Sequence, residues 1–166
     1  MNELFKSFNE IAVIFGDSLA EISIARHRIS LEFQEKMLLL QNINSFYEKM
    51  PEVKENSFFA VNEDILYLVC ELNEAVLQDK EKQGLFKSFI EATDEVFERV
   101  CKCPVFEFVV SDKYIKIYLD KQGLTTEDLE AYEDIFKLKG EGTLELHAQR
   151  PYLLFVNIEF EEGDLD

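Results

Sequence analysis

Leu4-Phe5-Lys6-Ser7-Phe8 recurs, letter for letter, as Leu85-Phe86-Lys87-Ser88-Phe89 in a chain of 166 residues. The second copy opens the second half of the chain. An identical pentamer at this length is roughly a one-in-a-hundred coincidence, so internal repetition is the first hypothesis to test. Around the first copy, Leu4, Phe5, Phe8, Ile11, Ala12 and Phe15 recur at three- and four-residue spacing. That spacing predicts a helix over 2–15 with one apolar face, closed by Gly16. Around the second copy, Leu85, Phe86, Phe89, Ile90, Thr93, Val96, Phe97 and Val100 form the same kind of stripe, and Pro104 ends it.

Between and after these helices the period changes. Glu21–Ala25 and Arg28–Phe33 alternate polar with apolar residues, which predicts a hairpin turning at Arg26-His27-Arg28. A long helix from Ser18, with Glu21 completing a capping box, is the competing reading of 18–34. Met37–Met50 reads as helical, with a short strand at Met37–Leu40 as an option, until Pro51 and Glu52–Asn56 interrupt it. Ser57–Val61 is a short apolar run, and Asn62-Glu63-Asp64 is a polar break. Ile65–Leu72 is ambiguous between strand and helix by periodicity alone, and Gln78–Gly84 reads as a charged connector. In the second half, Val105–Val110 and Tyr114–Leu119 flank Ser111-Asp112-Lys113 as a hairpin. Thr125 and Asp128 make a capping signature for a helix ended by Gly140 and Gly142. Thr143–Ala148 and Tyr152–Glu161 form a last hairpin.

Helix, hairpin, helix, hairpin therefore describes both halves. Laying Ile65–Leu72 over Leu153–Phe160 tips the ambiguous run toward strand. The expected fold is α+β: one compact domain, 1–166, of two pseudo-repeated α-β-β-α-β-β units (about 1–80 and 81–166), its antiparallel sheet covered by helices. Each unit alone is small for an independent core and gains by packing on its sister.

Hydrophobic residues make up 47% and charged residues 31%, a composition that folds. No run is long and apolar enough to span a membrane, and Met1-Asn2-Glu3-Leu4 does not begin like a signal peptide. Three cysteines, Cys70, Cys101 and Cys103, are too few for a disulfide framework and suit a reducing compartment. The expectation is a cytoplasmic protein.

Thirty-four acidic residues oppose 17 basic ones, a net charge of −17 that gathers after Pro51. Such a field repels phosphate backbones, so direct nucleic-acid binding is not expected. It serves solubility, attraction to a basic protein partner, or imitation of a nucleic acid. Glu91, Asp94, Glu95 and Glu98 share one helix side, as do Glu130, Glu133 and Asp134. Like charges one turn apart repel. A solvated face is the plain reading, and a docking surface for a basic partner is the sharper one.

Other candidates for chemistry are sparse. Cys101 and Cys103 would give zinc two thiolates, but no second cysteine pair completes a tetrahedron, so structural thiols are the plainer reading. His27 sits in a predicted turn and His147 on a predicted strand. A catalytic role needs a carboxylate and a nucleophile to converge on one of them, and no Ser or Cys stands in a nucleophile-elbow setting. Neither phosphate-binding glycine motif occurs. No enzyme, cofactor or metal is expected.

The order of helix, strands, short helix, two strands and helix across 1–100 resembles type III secretion chaperones. Leu4-Phe5-Lys6-Ser7-Phe8 through Gly16 looks like their opening helix, and 85–101 stands where their closing helix does. The resemblance implies non-catalytic binding of a protein, generally by a dimer. Here the chain continues into a second unit, which would stand in for the second subunit, and no family motif carries over. The functional expectation is a non-enzymatic acidic protein-binding module, chaperone- or adaptor-like, acting as monomer or homodimer on a partner with a basic surface. The alternative is an inhibitor or immunity protein, antagonising a toxin or blocking a restriction or CRISPR nuclease by nucleic-acid mimicry. An adaptor needs an exposed apolar groove or open sheet edge; a mimic needs its acids on one continuous face.

Overall fold

The alternation at Glu21–Ala25 and Arg28–Phe33 becomes two paired strands, β1 (Leu19–Ala25) and β2 (Arg28–Phe33), in a computed structural model that describes residues 3–98, 105–119, 124–136, 142–146 and 154–159. Their turn is only Arg26-His27, because Arg28 already pairs with Ala25. Ahead of them runs α1 (Glu3–Phe15), followed by a tight turn over Gly16–Ser18. Gly16 takes φ +66 there, a conformation that favours a residue without Cβ. After β2 come α2 (Leu40–Lys49), α3 (Pro51–Lys54), β3 (Ser57–Asn62) and β4 (Ile65–Glu71). Two short helices, α4 (Glu74–Gln78) and α5 (Lys80–Gln83), lead to α6 (Lys87–Glu98). The second half continues with β5 (Val105–Val110), β6 (Tyr114–Leu119), α7 (Thr126–Phe136), β7 (Gly142–Leu146) and β8 (Leu154–Glu159).

The class is α+β, as expected, and the eight strands among the described residues form one antiparallel sheet ordered β3-β4-β2-β1-β5-β6-β8-β7. Outward from the β1–β5 junction, both halves place their first, second, fourth and third strands in that order. The junction is short: Ile22, Ser23 and Ile24 face Val110, Val109 and Phe108. Each junction strand shifts register once near its start, between Leu19 and Glu21 and between Val105 and Glu107. One extra residue at such a shift increases local twist.

One sheet face forms the core with α1, α2 and α6. Ile22, Ile24, Ile29, Leu31, Phe33, Leu68, Cys70, Phe108, Val110, Ile115, Ile117 and Leu119 are all buried there, as period two requires. Against them lie Phe5, Phe8, Ile11 and Phe15 of α1, Phe46 of α2, and Phe86 and Phe89 at the α6 end. Aromatic rings stitch these elements together. Phe15 meets Phe33 at 5.0 Å and Phe46 at 5.5 Å, and Phe46 meets Phe86 at 5.9 Å. Both copies of the pentamer thus bury their phenylalanines.

Several local expectations need correction. In the second copy, Leu85 and Phe86 belong to a 3-10 turn, Gly84–Phe86, and the α-helix starts at Lys87. The turn is forced by a close approach. Gly84 has φ +51, a Cβ there would come within 2.6 Å of Met50 Sδ, and the Leu85 amide donates to that sulfur at 3.2 Å. Met37–Leu39 is not a strand, because no neighbouring strand offers it a ladder. Pro51 does not only interrupt: it occupies the first position of α3, where its missing N–H costs nothing.

The connector 78–84 is helical, because its polar side chains cap. Asn73 Oδ1 accepts from the Val76 amide and Asp79 Oδ1 from the Glu81 amide, both at 3.0 Å. The buried Gln83 amide donates to the Val76 and Leu77 carbonyls. The capping box before α7 forms as read: the Thr125 amide donates to Asp128 Oδ2 and the Asp128 amide to Thr125 Oγ1. Gly142 begins β7 rather than ending a helix. Pro104, Gly140 and the turn 147–153 lie outside the described residues.

The β3–β4 turn holds two acids where glycine or asparagine belongs. Asn62 pairs with Ile65 across Glu63 and Asp64, whose φ values are 50 and 65. A two-residue hairpin with both central residues left-handed favours Asn-Gly. The double substitution Glu63→Asn, Asp64→Gly is expected to raise unfolding free energy by about 0.5–1 kcal/mol in a urea titration. A midpoint that stays put or falls would mean the turn carries no such strain.

Candidate functional site

The acids singled out in sequence sit on two helices that pack on each other, α6 and α7. Glu91, Asp94 and Glu95 are exposed on α6, and Glu130 and Asp134 are exposed on α7. Glu98 and Glu133 lie on the same helices, but their side chains are outside the described set. One further acid of α7, Asp128, is structural: it is buried as the helix cap. Among the described residues no group of three or more His, Cys, Asp or Glu side chains is placed to hold a metal ion. His147, Cys101 and Cys103 lie outside the described residues. His27 is exposed in the β1–β2 turn, where its carbonyl accepts from the Leu72 amide. Cys70 is buried, and burial pushes its thiol up to about 12, which suits a packing role.

The sheet face opposite the core carries a polar constellation that the sequence reading passed over. Glu21 on β1 and Glu32 on β2 stand directly opposite each other, so their carboxyl groups meet. Like charges at such a pair are destabilising. Protonation of one carboxyl would relieve that repulsion. Burial, then the hydrogen bond and charge of Glu21, raise Glu32 to about 7, while the hydrogen bond from Tyr67 and the charge of Lys116 oppose the shift. Tyr67 on β4 donates to Glu32 Oε1 at 3.0 Å. On the other side, the Tyr114 hydroxyl of β6 donates to Glu21 Oε2.

Tyr114 reaches β1 across the end of β5, where Ser111 is small and buried. Ser111 also holds the β5–β6 turn, its hydroxyl accepting from the Lys113 and Tyr114 amides at 3.1 Å. Burial first, and then the Glu21 carboxylate, push the Tyr114 hydroxyl well above its ordinary value; burial, and then Glu32, push Tyr67 up to about 12. Both tyrosines therefore stay protonated donors. The Lys116 ammonium stands 4.6 Å from the Tyr114 ring centre. The result is a chain Tyr67–Glu32–Glu21–Tyr114 that ties the two halves together across their junction. A shared-proton carboxyl pair can exchange a proton near neutrality. Ser23 and Ser30, paired with each other, occupy the next row of the same face.

A third feature lies at the sheet's edge. β3 is the terminal strand and pairs only with β4. Phe58, Phe59 and Val61 on it are 48%, 43% and 73% exposed. Register places Phe58 on the face of Val69, and Phe59 and Val61 on the face of Leu68 and Leu66. The row Val61–Leu66–Phe33 is also where the chain leaves β2, and the exposed Met37, Leu39 and Leu40 follow immediately. At the strand's other end the Ser57 hydroxyl meets the Tyr47 hydroxyl at 2.7 Å, tying α2 to β3. Large apolar side chains left exposed on an edge strand mark a candidate contact surface.

A cleft of about 490 Å³ opens between the end of α1 and the β5–β6 turn, lined in part by Asn9, Asp17, Gln34, Lys113 and Tyr114. It converges on no cluster of reactive groups.

The Glu21–Glu32 pairing had one signal in the sequence. A two-residue turn at Arg26-His27 sets partners two apart in phase and puts glutamate opposite glutamate. The exposed strand had another in Ser57–Asn62, six residues without a charge in a chain rich in charge. No protein-family model matches the chain, and neither a curated protein nor a solved structure matches it.

Proposed function

We propose that the protein is a non-enzymatic binding module, chaperone- or adaptor-like, that holds a protein partner with a basic surface. The observation that carries this reading is the exposure of Phe58, Phe59 and Val61 on the terminal strand β3, standing on a protein of net charge −17. Apolar area left in water supplies binding energy when a partner covers it. The surrounding negative field selects and steers a positively charged partner. Affinity capture from the source cell, followed by reconstitution with the purified candidate, tests the reading. The expected result is a stoichiometric basic protein whose retention weakens as salt rises and is lost with Val61→Lys. No stoichiometric partner, or one whose retention is indifferent to salt, counts against it.

A second reading has its own observation. The packed pair α6–α7 exposes Glu91, Asp94, Glu95, Glu130 and Asp134. Acids on adjoining helices suit an inhibitor that presents charge to a basic cleft, as a nucleic-acid mimic does. Reversing Glu91, Asp94 and Glu95 to Lys separates the two. Loss of partner binding in that triple variant, with Val61→Lys silent, would favour the inhibitor.

A further inference from the structure

Resting on that reading of the chain as a protein-binding module, we infer that β3 takes one extended segment of the partner as an added strand, the segment carrying apolar side chains at alternate positions and lysine or arginine at its ends. Four observations meet at this strand. It is an edge, so one side of its backbone has N–H and C=O groups with no strand beside them among the described residues. It is also unprotected. Natural edges are blunted by lysine, proline or a bulge, yet Ser57–Asn62 contains no charged residue and no proline, and its register against β4 is unbroken. The opposite edge shows the contrast: β7 carries Glu145, whose carboxylate accepts from the Thr143 hydroxyl.

The third observation is where the side chains stand. Phe58 lies on one face of the sheet, and Phe59 and Val61 on the other. An added strand would therefore lay its apolar row beside Phe59 and Val61, with Phe58 bordering its other face.

The fourth is charge. Glu52 and Glu55 precede the strand, Glu63 and Asp64 follow it, and all four are exposed. Lys54 is the one basic residue between positions 51 and 64, and its ammonium stands 5.8 Å from the Tyr47 ring centre. Carboxylates at both ends complement cationic ends on the incoming segment. They also disfavour a second copy of this chain. An antiparallel pairing of β3 with β3 would bring the Glu52/Glu55 end of one copy beside the Glu63/Asp64 end of the other.

The test uses the full chain and the synthetic peptide Lys-Val-Thr-Val-Thr-Val-Lys. Amide exchange and chemical shifts are read by NMR at β3. Binding is expected to slow exchange at alternate β3 amides. A peptide of the same composition with its lysines and valines in two blocks should bind at least tenfold more weakly. Methylating the peptide nitrogens along one edge, then along the other, should abolish binding for one edge only. Phe59→Lys with Val61→Lys, both at exposed positions, should weaken binding at least tenfold while the melting curve stays within a few degrees.

Shifts confined to α6 and α7, equal binding of the blocked peptide, or no β3 protection at millimolar peptide would overturn strand addition. So would a dimer of the chain alone that the double lysine variant dissolves. The wider reading fails separately. If the double variant still holds the reconstituted partner, strand addition at β3 is wrong; if no partner is held by either form, the binding-module reading is wrong.

Discussion

Phe46→Ala is expected to lower unfolding free energy by about 3–5 kcal/mol, the range for emptying a phenylalanine site in a core. Phe46 is fully buried and its ring lies within 6 Å of three others: Phe15 at 5.5 Å, Tyr47 at 5.8 Å and Phe86 at 5.9 Å. Those contacts join α1, α2 and the turn that introduces α6. The cavity left by alanine would border all three, and each is anchored elsewhere, so little collapse can fill it. For a chain of this length the loss corresponds to roughly 10–15 °C in melting temperature. Phe46→Leu, which keeps most of the volume, should lose about a third as much. A melting curve for the alanine variant within a few degrees of wild type would show that α2 is not a keystone of this core.

Stability should fall as pH rises from about 4.5 to about 7, and Glu32→Gln should remove that part of the slope. The sign follows from the direction of the shift. Glu32 is raised from 4.5 to about 7 in the folded chain, so between those values the folded state holds a proton that the unfolded state has released. Unfolding free energy then decreases with pH, and the contribution is flat below and above the window. A shift of that size corresponds to about 3.4 kcal/mol if fully expressed. Glu32 is only half-buried, and solvent screening reduces this to roughly 1–2 kcal/mol. The groups around it are Glu21, Tyr67 and Lys116.

In Glu32→Gln the amide replaces the shared proton as a permanent donor to Glu21, and its carbonyl still accepts from Tyr67. Urea titrations of both proteins at pH 5 and pH 8 isolate the effect from the other carboxylates. The variant should match wild type at pH 5 and exceed it at pH 8. An unchanged difference between the two pH values would mean that the pair holds no shared proton.

Much of the fold was legible in local pattern. Period two at Ile22/Ile24 and Ile29/Leu31/Phe33 gave way to period three and four at Leu4, Phe8 and Ile11, and each became the element it implied. Thr125 with Asp128 was readable because a capping box closes within four residues. The connector 78–84 hides a short helix for the converse reason: its charged letters carry no apolar period, and the cap Asp79 satisfies the backbone from just outside it. Of the acids chosen in sequence, Glu91, Asp94, Glu95, Glu130 and Asp134 are on the surface, as helical spacing required. The carboxyl pair Glu21–Glu32 was not among them.

By itself the sequence determined the class, the leading helix α1, the β5–β6 hairpin and the excess of negative charge, because each depends on neighbours within one helix turn or one hairpin or on composition alone. Only the tertiary structure decided the rest. The β1–β5 junction brings Ser23 to Val109, and Tyr114 reaches Glu21 across 93 positions of sequence. Strand order also leaves the uncharged β3 at one end of the sheet. These depend on which strands become neighbours, and that is settled by burying Phe15, Phe33, Phe46 and Phe86 in one core and not by any residue's local preference.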